Sequence, residues 1–237
     1  MGAGRSVAAF LISQAKAIRP SERRMRRELR PLFASYLDNL RRTAKANSDE
    51  ALQRKFRDYS NALRKQTAPV VRRSSVFEAQ SAYNDTLREL RRLGQKAEDK
   101  ALTPDQRKEV LKEVDDLVRR KFEPLPDRML NRLADLRSSR NLRPLAQGLA
   151  DVLARDASTL ARVEGERIAN EEQGTGYWQW VTVGDRKVRP SHKRLRGQRR
   201  RIGTKFSNGV RYPRDPTGDI GETANCRCHT RPARAPR

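Results

Sequence analysis

The chain has 237 residues, room for one medium domain or two small ones. Hydrophobic residues and charged residues each make up 35%, so the core is expected to be thin and much of the chain to be helices that bury one stripe and solvate the rest. Lys and Arg total 53 against 29 Asp and Glu, a surplus of +24 that points to a polyanionic partner, nucleic acid first; the apolar stretch VAAFLIS is too short to span a bilayer and runs into Gln14-Ala15-Lys16 with no cleavage pattern, which argues against an integral membrane or secreted protein.

A helical face runs through residues 21–46. Leu29, Leu32, Phe33, Tyr36, Leu37 and Leu40 recur there at three- and four-residue steps, with Arg23, Arg24, Arg27, Arg41 and Arg42 on the other side. Ser48 before Asp49 and Glu50 reads as the start of a second helix, through Leu52, Phe56, Tyr59 and Leu63, and Thr67-Ala68-Pro69 as its end. Ser75-Val76-Phe77-Glu78 has capping-box spacing and predicts another helix through Tyr83, Leu87 and Leu90. Thr103-Pro104-Asp105-Gln106 repeats the device ahead of Val110, Leu111, Val114, Leu117 and Val118. After the break at Glu123-Pro124-Leu125-Pro126 a short helix is expected around Leu130, Leu133 and Leu136. Pro144 then opens a last long helix through Leu145, Leu149, Val152, Leu153, Leu160, Val163 and Ile168.

The text changes character at the breaker Gln173-Gly174-Thr175-Gly176. Tyr177 to Val183 is aromatic and β-branched with alternating faces, a strand, and Gly184-Asp185 turns it toward Arg186-Lys187-Val188. Phe206 to Tyr212 is centred on Asn208-Gly209, the strongest short hairpin signal, and the Pro-, Gly- and Asp-rich chain after Pro213 is expected to be loop. The expected fold class is α+β: an extended, mainly α-helical N-terminal arm over residues 1–157, then a small α+β domain with antiparallel hairpins over residues 158–237.

Two constellations carry chemistry. Arg186, Lys187, Arg189, Lys193, Arg194, Arg196, Arg199, Arg200 and Arg201 form a run without an acidic residue among them. Read as a binding site, it contacts phosphates of duplex DNA without sequence preference, since no recognition motif accompanies it and few aromatics interleave it; read structurally, it is a solvated loop. The second is NCRCH: His192, Cys226, Cys228 and His229 are the only histidines and cysteines of the chain. They can supply a structural zinc, with Asp185 as a substitute for His229; alternatively His192 bonds a carbonyl and the thiols pack as small apolar groups. Cys-x-Cys would be strained as a disulfide, and two cysteines make no disulfide framework, which fits a reducing compartment. His192 beside Asp185, Arg189 and Lys193 also permits a general-base reading, although no second acid or base is identifiable.

Arg162 and Glu164, Trp178 and Trp180, Asp185, Val188, Arg189 and His192, then Leu195 with Gly197, Phe206, Gly209 with Pro213, and Asn225 to Cys228 follow one another in the order and spacing of a known pattern. The segment resembles the phage Mu protein F-like domain of the phage head morphogenesis, or minor capsid protein, family. The resemblance covers about the last third of the chain, with Val163 where the family usually has threonine.

It implies a low-copy virion protein without enzymatic activity, inside the head near the portal, aiding head assembly or DNA delivery, with the host cytoplasm as its location during assembly. The implied partners are portal or major capsid protein and packaged double-stranded DNA, with several copies per particle; the helical arm would dock through its apolar stripe. The rival reading is a nucleic-acid-cleaving or toxin-like domain using His192.

Overall fold

The computed structural model describes residues 20–46, 49–139, 141–182, 184–215, 217–224, 226 and 228–236; VAAFLIS, Ser48, Val183 and Asn225 lie outside them. The order is α1 (Pro20–Ala46), α2 (Asp49–Arg92), α3 (Pro104–Phe122), α4 (Leu125–Leu130), α5 (Leu133–Ser138), α6 (Arg143–Glu172), β1 (Tyr177–Val181), α7 (Pro190–Arg194), β2 (Arg199–Arg201), α8 (Ile220–Thr223) and β3 (His229–Ala233). This is the expected α+β class, helices first and a small antiparallel sheet after. Among the described residues no helix is long and apolar enough to cross a membrane. The chain divides into two compact units, one of Pro20–Phe77 with Lys108–Ser158, the other of Glu78–Arg107 with Thr159 onward.

In the first unit, α1 buries Met25, Leu29, Phe33, Tyr36, Leu37, Leu40 and Ala44. Phe33 lies 6.1 Å from Phe122 of α3, and the Tyr36 hydroxyl bonds Ser60 of α2 at 2.8 Å. Asp151 of α6 receives Arg26 and Arg30 of α1, and Arg137 of α5 donates to the Ala44 carbonyl at 2.9 Å. The apolar stripe of α1, expected to be open for docking, is therefore spent inside the unit. Among the described residues, few large apolar side chains stay exposed, Phe77, Val152 and Ile220. Instead of one short helix around Leu130 to Leu136, α4 and α5 are two single turns, separated at Asn131 and Arg132.

The break expected at Thr67-Ala68-Pro69, and the new start at Ser75-Val76-Phe77-Glu78, do not occur: α2 is continuous from Asp49 to Arg92. Leu63, Thr67, Val71, Ser75 and Ala79 step by four residues along the helix and all are buried. Pro69 lies exposed off that line. The amide it lacks would have met the carbonyl of Lys65, itself exposed, which solvent can satisfy. Burial of the ladder outweighs the local cost of proline.

In the second unit, Thr103 and Gln106 make the reciprocal cap expected of them, Thr103 N to Gln106 Oε1 at 2.8 Å and Gln106 N to Thr103 Oγ1 at 3.3 Å. The loop after α2 is pinned by Gln80, which donates to the Lys100 carbonyl at 2.8 Å and accepts from Leu102 N at 2.7 Å. Glu172, at the C-terminal end of α6 where the helix dipole disfavours a carboxylate, is held by Tyr83, by Lys100 at 2.9 Å and by Gln106 at 2.5 Å. The α6 helix ends as the breaker predicts, with Thr175 N bonded to the Asn170 carbonyl at 3.0 Å and Gly174 N to that of Glu171 at 3.1 Å.

The sheet has the order β2-β1-β3, and both pairs are antiparallel. Trp180 donates to Gln198 O at 2.9 Å and accepts from Gly197 N at 3.0 Å, so the even positions of β1 direct their main-chain groups toward β2. Pro232, register partner of Trp178 on the edge strand β3, is therefore not asked for an amide. This is how a strand forms in the tail that was expected to be loop; α8 is a second element there. The expected hairpin at Asn208-Gly209 is only a turn, closed by Gly209 N to Phe206 O at 2.9 Å and Phe206 N to Val210 O at 2.8 Å, with no ladder beyond it.

Helices α2 and α6 approach closely where Gly165 faces Ala79: a Cβ on Gly165 would stand 2.9 Å from the Ala79 carbonyl carbon and nearer still to its oxygen. Because backbone lies on the other side, Gly165→Ala is expected to destabilise by at least about 2 kcal/mol in urea unfolding. Unchanged stability would mean that the helices do not touch there.

Candidate functional site

Trp178 and Trp180 project from the same side of β1 and are 2% and 1% exposed. Thr230, opposite Trp180 and so on the same face, bonds Glu166 of α6 at 2.8 Å, and irregular chain supplies further cover. Trp178 meets Tyr212 edge-on at 6.3 Å; Trp180 meets Phe206 at 5.0 Å and His192 at 5.2 Å, both edge-on. Val188, Leu195 and Val210 are buried too. The turn from α7 into β2 needs the left-handed backbone of Gly197, φ +81°. On the other side of β1, Gln179 links its two neighbours, donating to the Gly197 carbonyl at 3.0 Å and accepting from Arg231 at 2.8 Å.

His192 sits on α7, 2% exposed. Its Nδ1 lies 3.4 Å from Cys226 Sγ and 3.5 Å from Cys228 Sγ, and its Nε2 lies 2.9 Å from a Glu222 carboxylate oxygen. Burial lowers the His192 pKa, but Cys226 and Glu222 outweigh it and the net shift is upward. The two thiols behave as a pair: the hydrogen bond from Cys228, with help from His192, draws Cys226 down, while Cys226 and burial push Cys228 up. The ligand atoms of His192, Cys226 and Cys228 lie within 4.8 Å of one another, the geometry of a metal-binding group.

The other two candidate ligands stand elsewhere. His229 opens β3 opposite Val181, on the sheet face away from Trp180. Asp185 closes its own turn, accepting from Lys187 N at 3.0 Å.

The basic run is mostly exposed: Arg186, Lys187, Lys193, Arg194, Arg196, Arg199 and Arg201 face solvent, Arg200 is half-buried, and among the described residues none of these forms an ion pair. Arg189 differs. It is half-buried, with its guanidinium donating to the Ala224 carbonyl. From the other side Arg214, left-handed at φ 66°, donates through Nε to the Cys226 carbonyl at 2.5 Å. The two arginines grip the strap that carries the cysteines.

Sequence reasoning missed the acids that build this site. After Asp185 the chain has only Asp215, Asp219 and Glu222 as acidic residues, and each has a task. Asp219 accepts from Gly221 N at 2.7 Å and starts α8; Glu222 faces His192 and accepts from Asn208 at 2.8 Å. Asp215, 1% exposed, accepts from the Arg211 amide at 3.0 Å, twice from the Arg211 guanidinium at 2.9 Å, and from the Thr217 amide and hydroxyl at 3.0 and 2.7 Å. Scarcity was the available signal: a lone acid in so basic a stretch stands where a cation or several amides need one.

Burial alone would raise the Asp215 pKa, yet the bonds from Arg211 and Thr217 hold it far below the usual carboxylate range. A depressed folded-state value stabilises the fold above the unfolded pKa of about 4, and that contribution is lost as pH falls below it. Asp215→Asn is expected to cost on the order of 2 kcal/mol at pH 7 and to flatten the fall in melting temperature between about pH 5 and pH 3. An unaltered pH profile would contradict the assignment.

These geometries assign the motif residues to the core and clasp of a small domain. Comparison with curated proteins and with solved structures gives no match. Residues 128–231, the stretch that holds α6, most of the sheet and the cysteine strap, match the family model described as phage Mu protein F like protein.

Proposed function

We propose that the chain is a minor capsid protein that sits inside a phage head near the portal and contacts packaged double-stranded DNA through its basic run. The family implies the head-morphogenesis role. The observation that carries the finer reading is the set of exposed cations without ion pairs on Arg186, Lys187, Lys193, Arg194, Arg196, Arg199 and Arg201, with Arg200 half-buried among them, within a chain of net charge +24. An edge strand made of arginines also repels other edges, but that structural task explains β2 alone and not the cations before it.

Phosphates neutralised by such side chains release counterions, which makes binding steeply salt-dependent and indifferent to sequence. Arg189, committed to Ala224, adds charge without being free to reach a phosphate. The division of labour follows the two units: Pro20–Phe77 with Lys108–Ser158 docks on portal or capsid through its polar surface, its apolar stripes being used internally, and the unit that holds the sheet faces DNA.

The rival reading, cleavage of nucleic acid with His192 as base, is disfavoured by position. The ring is buried and its two nitrogens face the cysteine sulfurs and Glu222, so neither is presented to a substrate.

The test is duplex binding by fluorescence anisotropy across a salt series. The expected result is a steep linear fall of log affinity with log salt, its slope reduced by roughly 2–3 when Arg199, Arg200 and Arg201 are replaced together by Gln, since each phosphate contact contributes about 0.9. Affinity that does not change with salt, or a triple variant with the parental slope, would overturn the DNA contact.

A further inference from the structure

We propose that His192 Nδ1, Cys226 Sγ and Cys228 Sγ bind one zinc ion whose fourth corner is taken by water. The inference is independent of DNA contact and portal docking.

The first argument is metric. Zinc bonds imidazole nitrogen at about 2.0–2.1 Å and thiolate sulfur at about 2.3 Å, and in a tetrahedron those lengths place nitrogen and sulfur roughly 3.5 Å apart. The two nitrogen-to-sulfur distances here are 3.4 and 3.5 Å. Two edges of a tetrahedral face are thus already in place, and the two sulfurs lie within 4.8 Å of each other. If the residues merely packed as apolar groups, nothing would require their donor atoms, rather than their carbons, to converge.

The second argument is orientation. A metal-bound histidine gives its other nitrogen to a carboxylate that fixes the ring and its tautomer. Glu222 stands 2.9 Å from Nε2 and is itself held by Asn208 at 2.8 Å, so the chain from Asn208 to the ring aims Nδ1 at the sulfurs. Trp180 lies edge-on to the ring at 5.2 Å.

Burial and chemistry select the ion. His192 and Cys226 are 2% and 1% exposed, and two thiols with an imidazole, in a chain whose cysteines are both free, suit a borderline-soft dication. Cys226 is too enclosed for a nucleophile that must meet a substrate, which sets aside a cysteine–histidine catalytic pair. Among the described residues no fourth His, Cys, Asp or Glu joins the group, and Cys228 is only half-buried, so water has access to the remaining corner.

The site would tie α7 to the strap that leads into β3, closing a loop between His192 and Cys226, which stand 34 positions apart. Arg189 and Arg214 grip the strap by its carbonyls, and the ion would grip it by its side chains.

The experiment takes the full chain purified without chelator, measures its metal content, then replaces the metal with Co2+ and records the absorption spectrum. One zinc per chain is expected, with a thiolate-to-cobalt charge-transfer band and the intense visible bands of four-coordinate cobalt. In competition with a chelating dye, Cys226→Ser and Cys228→Ser should each weaken zinc binding at least about 100-fold, and Glu222→Gln, which acts through His192, by roughly 10–100-fold. His229→Ala should leave the affinity unchanged. A wild-type chain that holds no zinc and gives a six-coordinate cobalt spectrum without the thiolate band overturns the proposal, whatever the variants do. Loss of binding in His229→Ala equal to that in Cys226→Ser overturns the ligand set.

Discussion

Two tryptophans on a sheet of three short strands must be covered, beyond what α6 reaches, by a chain with little regular structure left. Trp178 and Trp180 are nearly completely buried, yet the residues over them, His192, Phe206 and Tyr212, come from a one-turn helix and two loops. Loops bury apolar side chains only if their own main-chain groups find partners. Here the partners are side chains: Asp215 for the amides of Arg211 and Thr217, Arg189 and Arg214 for the carbonyls of the strap. Helix α6 is tied to the same sheet through Glu166, 2% exposed, which accepts from Thr230 of β3 at 2.8 Å and pairs with Arg162 at 2.8 Å. The family motif thus describes a covered sheet and the pins that keep the cover on, and this accounts for the wide spacing of its residues along the chain.

The same economy shapes the electrostatics. The first unit pairs its acids, across helices in Asp115 with Arg72, Glu28 with Arg73 and Asp156 with Lys121, and within α1 in Glu28 with Arg24. Such partly exposed pairs contribute little stability singly, but each removes one cation from the surface field. In the second unit the three acids after Asp185 are committed to Arg211, to the start of α8 and to His192. None is left for the run from Arg186 to Arg201, so the excess of positive charge is concentrated there by construction of the fold. A charge that the protein does not neutralise itself is available to phosphate.

Much of this was legible in the sequence. The cap at Thr103, the end of α6, the strand at Tyr177 and the motif residues are carried by side-chain identity and spacing, which one chain displays openly. The continuous α2 was not, because its buried ladder uses Thr67 and Ser75, small polar residues that read as a break and a cap, and because Pro69 is harmless only on the exposed side. Strand β3 was hidden by Pro232, whose tolerance depends on which way Trp178 points its amide. The convergence of His192 with Cys226 and Cys228 was visible as a concentration of residue types. That Glu222 stands behind the ring, that His229 points to the other face and that Arg189 turns inward depend on folding the chain between His192 and Cys226 back onto the sheet.

The central proposal is that this charged, clasped domain serves within a DNA-filled head. The most direct measurement is protease protection in intact particles followed by immunoblotting of the chain, before and after the heads are opened. The account predicts a chain that is present in purified DNA-filled heads, resists protease while they are intact and is digested once they are disrupted. A chain absent from those particles, or digested while they remain closed, would contradict it.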